Sequence, residues 1–220
     1  MALTNEWNRR LRAWRTEVRA HLYQPLGPVA LAGFTTLERM DVDAARRHSF
    51  SPMPPGTRWG AKWEYGWFRG SVSVPKEAAG RRLVLRLDAG GEGLLYVNGK
   101  AFAARDREHD TITLSRTAST GARFELLAEV YAGHGPLVAS TGPVAPGRLS
   151  VPEPPPRQAV VGESSFGIWE EDVYQLMMDV ETLFGLRSTL DVNQLRVAEI
   201  DAGLRDFTTI VDFELPKEEM

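Results

Sequence analysis

Between Trp67 and Val151 the apolar residues fall in short runs at alternate positions, and Gly, Pro, Asn or Asp separates one run from the next. That pattern constrains the fold more than any other feature, because a period of two buries one face of a strand and cannot bury one face of a helix. The runs are Trp67 to Val74, Arg81 to Asp88, Gly93 to Val97, Thr111 to Leu114, Phe124 to Tyr131 and Arg148 to Val151. Several short strands at such spacing predict a sandwich or barrel. Asn98-Gly99 between two runs predicts a tight hairpin, since a type I′ turn needs positive φ at both central residues and these two types tolerate it best.

The flanks follow a helical period. Trp7, Leu11, Trp14, Val18 and Leu22 share one stripe of a helix over Asn5 to His21, with arginines on the remaining surface; the two tryptophans predict docking onto a sheet. From Phe34 to Gly56 the pattern weakens, and Pro52, Pro54, Pro55 and Gly56 predict an irregular approach to the strands. Pro152, Pro154, Pro155 and Pro156 predict an extended strap. Beyond it Val173, Leu176, Met177, Val180, Leu183 and Phe184 share a helical face, with Gly185 as the expected C-cap. Val197, Ile200, Leu204, Phe207 and Val211 form a second face, which Asp191 would cap and Pro216 would close. The expected organisation is a helical segment 1–33, a β-sandwich 34–151, a proline-rich linker 152–165 and a helical segment 166–220.

Composition narrows the function classes. An apolar share of 43% and a charged share of 25% exclude wholesale disorder. A net charge of −3 supplies no overall positive field, so neither nucleic acid nor a membrane is expected as a partner. The charge is uneven: Lys and Arg exceed Asp and Glu by about seven before Glu163 and fall short by about ten after it. With no cysteine, thiolate catalysis and Cys-ligated metals are out, and a reducing compartment is compatible. The start of the chain carries no apolar signal region, and no run approaches the length of about 18 residues that crosses a bilayer, so a cytoplasmic protein is expected.

The chemistry-bearing stretch is Trp59-Gly60-Ala61-Lys62-Trp63-Glu64-Tyr65-Gly66-Trp67-Phe68-Arg69, dense in aromatics at the entry to the first run. Aromatic faces stack on the C–H surface of a sugar; equally, alternate rings can point into a sandwich core. Asp88-Ala89-Gly90-Gly91-Glu92-Gly93 presents the Glu92 carboxylate beside a tight turn, and lacks the Lys-Ser or Lys-Thr and the helix of a phosphate loop. Asp106 and His109 lie three apart beyond the hairpin, and His134 lies in a loop after a run. The four histidines are scattered without an i, i+4 pair, so no metal site is expected; no serine sits in a Gly-x-Ser-x-Gly elbow, so no catalytic nucleophile is either.

Trp63-Glu64-Tyr65-Gly66-Trp67-Phe68-Arg69 with Val72-Ser73-Val74-Pro75, then Gly90-Gly91-Glu92-Gly93-Leu94-Leu95-Tyr96-Val97-Asn98-Gly99, then Asp106-Arg107-Glu108-His109, then Glu129-Val130-Tyr131-Ala132-Gly133-His134 stand in order. Together they resemble the amino-terminal β-sandwich of cytosolic-type α-mannosidases of glycoside hydrolase family 38. The helix starting near Trp169 is similar to the segment leading into that family's catalytic domain. Ala104 departs from the family, which usually has glycine before the Asp-x-x-His element.

The resemblance implies a mainly β fold, a galactose-binding-like (jelly-roll) β-sandwich with an N-terminal helix and a C-terminal helical pair. It implies a parent enzyme that is a retaining, zinc-dependent α-mannosidase, whose nucleophile and His/Asp ligands lie in a larger downstream domain without counterparts here. This chain is therefore expected to be catalytically inactive alone, to hold no cofactor of its own, and to form part of a homo-oligomer and of the rim of a cleft for mannose-containing oligosaccharides. The candidate sugar contacts are Trp59, Trp63, Tyr65, Glu92, Asp106 and His109. A stand-alone carbohydrate-binding module and a purely structural assembly module are the alternatives.

Overall fold

The computed structural model describes residues 4–106, 108–133 and 155–211. In chain order, helix α1 (Asn5–Ala20) leads into β1 (Tyr23–Pro28), β2 (Ala32–Thr36), a short helix α2 (Val42–Arg47), β3 (Ser51–Pro52), β4 (Arg58–Trp59) and β5 (Tyr65–Ser73). Then come β6 (Leu83–Arg86), β7 (Glu92–Val97), β8 (Lys100–Arg105), β9 (Thr111–Ser115) and β10 (Arg123–Tyr131). The chain ends in β11 (Ala159–Val160), β12 (Ser165–Trp169), α3 (Glu171–Thr189) and α4 (Leu195–Ile210). The β-sandwich with flanking helices is as expected from sequence.

The structure divides into two compact units, residues 25–168 and residues 1–24 with 169–220. In the first, a six-stranded sheet in the order β3-β2-β5-β10-β7-β8 accompanies a four-stranded sheet β1-β12-β6-β9, and β11 pairs β4. The core draws on both sheets: Phe68, Val72, Leu95, Leu126 and Val130 from the larger, Leu83, Leu85, Ile112 and Ile168 from the smaller. At β9 burial alternates cleanly, as a strand with one wet face should. At β5 neighbours Trp67 and Phe68 are both fully buried, so both faces of that strand are covered. Phe68 points into the sandwich core, whereas Trp67 packs outside it with Leu127, Phe34, Tyr96 and Ala45 of α2.

That outer cover was not legible in sequence. The stretch expected to be irregular contains α2, whose N-cap Asp41 accepts from the Ala44 amide at 2.7 Å, and its small apolar face closes over Trp67. The hairpin at Asn98-Gly99 is present, with φ of 48° and 85°. The expected strand Arg148 to Val151, His134, Pro216 and Pro152 to Pro154 of the strap lie outside the described residues.

Boundaries also shift. Tyr23–Pro28 and the start of Ala32–Thr36 are strands rather than part of the helical segment expected over 1–33, and β11 occupies part of the expected linker, because β1 pairs β12 and β11 pairs β4 far along the chain. In the helical unit the α1 stripe is covered by helices, not by a sheet: Leu11, Trp14, Val18 and Leu22 pack with Val173 and Val180 of α3 and Ile200 and Leu204 of α4. The Trp14 and Phe207 rings meet edge to face with centroids 4.4 Å apart. Gly185 does not cap α3, which runs on to Thr189, and Asp191 accepts from the Asn193 amide instead of capping α4, whose N-cap is Gln194.

Candidate functional site

The aromatic segment splits between core and surface. Trp59 is 3% exposed, its indole N–H donates to the Ala89 carbonyl at 2.8 Å, and its ring meets Phe68 edge to face at 5.2 Å. As a stacking platform Trp59 is therefore corrected: its indole is a core side chain with no face left for a sugar. Trp63, four residues on, is 54% exposed.

Trp63 also has φ of 66°, a left-handed conformation that costs a bulky residue about 1–2 kcal/mol. The loop around it over-determines that geometry. The Trp63 amide donates to Gly133 O at 3.0 Å, the Ala61 amide donates to a Glu64 carboxylate oxygen at 2.7 Å, and the Ala132 amide donates to Glu64 O at 3.0 Å. The Gln158 side-chain amide donates to both Ala61 O and Gly133 O. An exposed ring is thus held in a strained pose by a web of hydrogen bonds, a pattern that marks ligand-contacting positions.

Beyond this loop the sheet lays out a row. Thr36, Tyr65, Tyr131 and Glu92 are successive cross-strand partners on β2, β5, β10 and β7. Partners across antiparallel strands share a face, with Cβ atoms about 4.5–5.5 Å apart. The Tyr65 and Tyr131 rings lie 5.3 Å apart at 37°, and burial, with Tyr65 adding to it, raises the Tyr131 hydroxyl pKa. Two phenols and a carboxylate so spaced can meet one pyranose, the rings on its C–H face and the carboxylate accepting from its hydroxyls.

Glu92 is positioned by the glycine turn before it. Gly90 has φ of 88°, and a Cβ there would lie 2.4 Å from the Val160 carbonyl oxygen, so only glycine fits. The largely buried Arg105 fixes that turn, donating to Gly91 O at 2.6 Å and to Asp88 Oδ1 at 3.2 Å. Tyr131 and Arg105 are the residues that candidate selection by sequence missed. Tyr131 ends an alternating run and stands in the Glu129 to His134 stretch of the resemblance, neither of which marks its ring as a contact, and Arg105 reads as an ordinary strand-end charge. Glu129, two residues before Tyr131 on the same face, has its carboxyl pKa pushed up by burial against the opposing pull of Arg39.

Asp106 and His109 stand together but elsewhere, lining an open groove of about 630 Å³ with Phe102, Ala104, Thr111 and Thr113. Asp106 Oδ1 accepts from the Glu108 and His109 amides at 2.9 and 2.7 Å and lies 2.9 Å from His109 Nδ1. The hydrogen bond with His109 lowers the Asp106 pKa, and the same bond raises that of His109. The signs fix a pH window. The Asp106 contribution disappears as pH falls through its lowered folded value, and the His109 contribution disappears as pH rises through its raised one. Asp106→Asn should therefore lower the His109 midpoint followed by NMR of the ring protons; an unchanged midpoint would show that the pair does not form in solution. Among the described residues no three His, Asp or Glu side chains gather as a metal site.

Residues 27–151 match the family model described as alpha-mannosidase, jelly roll domain. The chain is 26% identical over 183 residues to alpha-mannosidase 2C1 of Homo sapiens, covering 81% of this chain and 17% of that protein. It is 27% identical over 182 residues to alpha-mannosidase 2C1 of Mus musculus, with the same coverage. This chain therefore spans 17% of the length of those two relatives. Among solved structures, a β-glucuronidase from Ruminococcus gnavus in complex with uronic deoxynojirimycin aligns at 12% identity and a TM-score of 0.44, over 67% of this chain and 29% of that one.

Proposed function

Because the chain belongs to the family of the α-mannosidase jelly roll domain, we propose that its sandwich contributes to the rim of a mannosidase sugar cleft. In this reading the whole enzyme removes terminal α-linked mannose from oligosaccharides in the cytoplasm, as a homo-oligomer, and the reacting groups reside in a downstream catalytic domain. What carries the reading is the family match over 27–151, joined by the exposed, strained Trp63 close in sequence to the Tyr65–Tyr131–Glu92 row.

The chain's own residues have defined parts. Trp63 and the two tyrosines offer apolar ring faces to the C–H side of a mannose unit, Glu92 accepts from its hydroxyls, and Arg105 holds the turn that presents Glu92. In this reading the zinc expected in the full-length enzyme is held by the downstream domain. No helix among the described residues is long and apolar enough to cross a membrane.

Two measurements on the 220-residue chain test this. With zinc added it should release no aryl alcohol from an aryl α-mannopyranoside; cleavage free of contaminating glycosidase would overturn the non-catalytic role. A mannose oligosaccharide should shift tryptophan fluorescence with a Kd in the region of ~1 mM, about 4 kcal/mol, as befits half of a cleft. Silence up to saturating sugar would remove the rim contact and leave assembly as the role.

A further inference from the structure

At the other end of the same sheet face, beyond the cover of α2, lies a second open groove of about 780 Å³, within the range of about 300–1,000 Å³ common to small-molecule sites. Its floor is Arg69 and Ser71 of β5 with Arg123 and Glu125 of β10, and its walls are Phe50 and Arg46 on one side and the Asn98-Gly99 hairpin. Three guanidiniums thus surround one cavity that carries a single carboxylate.

Two of the three are seated on neutral partners. The Arg69 guanidinium lies over the Phe50 ring, 4.5 Å from its centroid. The Arg46 guanidinium lies against Gly99, where a Cβ would sit 2.6 Å from Nη2; the glycine that the hairpin needs for its φ of 85° also leaves room for Arg46. Arg46 has Asp43 at 3.6 Å, a pair that solvent screens because both side chains are exposed. Arg69 and Arg123 have no ion pair among the described residues.

Phe50 has one face already covered by Arg69 and offers little to a neutral sugar, so positive charge is what this groove presents. Guanidinium forks recognise phosphate and carboxylate through paired hydrogen bonds, and a concave wall concentrates their field. We propose that the groove binds a small molecule bearing a phosphate or carboxylate group, its anion taken by the guanidiniums of Arg69, Arg123 and Arg46 that line the groove on either side of Glu125. The site is independent of the Trp63 end of the sheet, so either can fail without the other.

The test is calorimetric titration of the 220-residue chain with a hexose phosphate, a hexuronate and the neutral hexose. At least one anion should saturate below about 10 mM, with affinity falling as salt rises, and any heat from the neutral hexose, which the Trp63 end accounts for, should be insensitive to salt and absent from Trp63→Gly. Binding by the phosphate alone or the hexuronate alone identifies which anion the groove selects. The double replacement Arg69→Gln with Arg123→Gln should weaken binding by about tenfold or more, and Trp63→Gly should leave it unchanged. Neutral-hexose binding that weakens with salt and in the double variant as the anion's does, no saturation by either anion, or full anion affinity in the double variant would each overturn the proposal. Salt dependence of the unaltered chain is a readout that needs no variant to fold.

Discussion

Replacing Asp201 by alanine should destabilise the helical unit by about 3–5 kcal/mol. Asp201 lies on α4, its side chain 1% exposed, and its carboxylate accepts a hydrogen bond from Arg187 Nε of α3. The Arg187 side chain is itself only 20% exposed, so truncation leaves a largely buried guanidinium without that counter-charge. The asymmetry provides the control. Replacing both partners with apolar residues, Arg187→Met with Asp201→Leu, removes the desolvation cost along with the attraction and should cost clearly less than Asp201→Ala alone. Denaturant unfolding of the single and double variants measures the difference. A cost below about 1 kcal/mol for Asp201→Ala would place the pair in the class of solvent-screened bridges and contradict its burial.

The second large effect concerns binding. Trp63→Gly should reduce affinity for a mannose oligosaccharide by about tenfold or more while altering stability by no more than about 1 kcal/mol. Glycine adopts the φ of 66° without the steric cost borne by tryptophan, and this relief offsets the entropy that glycine adds to the unfolded chain. What the change removes is an indole that is 54% exposed. Tyr65→Ala should lower affinity as well, yet with a loss of stability, since that ring packs on Tyr131 across the sheet. If Trp63→Gly instead unfolded the sandwich and left sugar binding intact in the folded fraction, the indole would be a structural plug and the rim reading would fall.

The candidate site was half legible in the amino-acid order. The density of aromatics between Trp59 and Phe68 identifies the segment, and the glycines beside Glu92 identify a turn, because both signals are local. Choosing among the rings was not possible. Trp59 and Trp63 are the same residue type four positions apart, and what separates them is that β4 finds β11 from the far side of the proline strap and draws Trp59 inward. Tyr131 becomes part of the site only through its register with Tyr65 and Glu92. Asp106 and His109 are close in sequence and do pair, yet they face a groove of their own.

Strands, the Asn98-Gly99 turn and three amphipathic helices could be read from the chain alone, because periodicity and turn chemistry depend on neighbours within a few residues. Tertiary structure alone decided that α1 joins α3 and α4 in one unit, that α2 shields Trp67, and that Arg46, Arg69 and Arg123 converge on one groove. Those outcomes depend on contacts between residues tens to hundreds of positions apart. Local propensity carries no information about such partners; the burial of complementary apolar faces selects them.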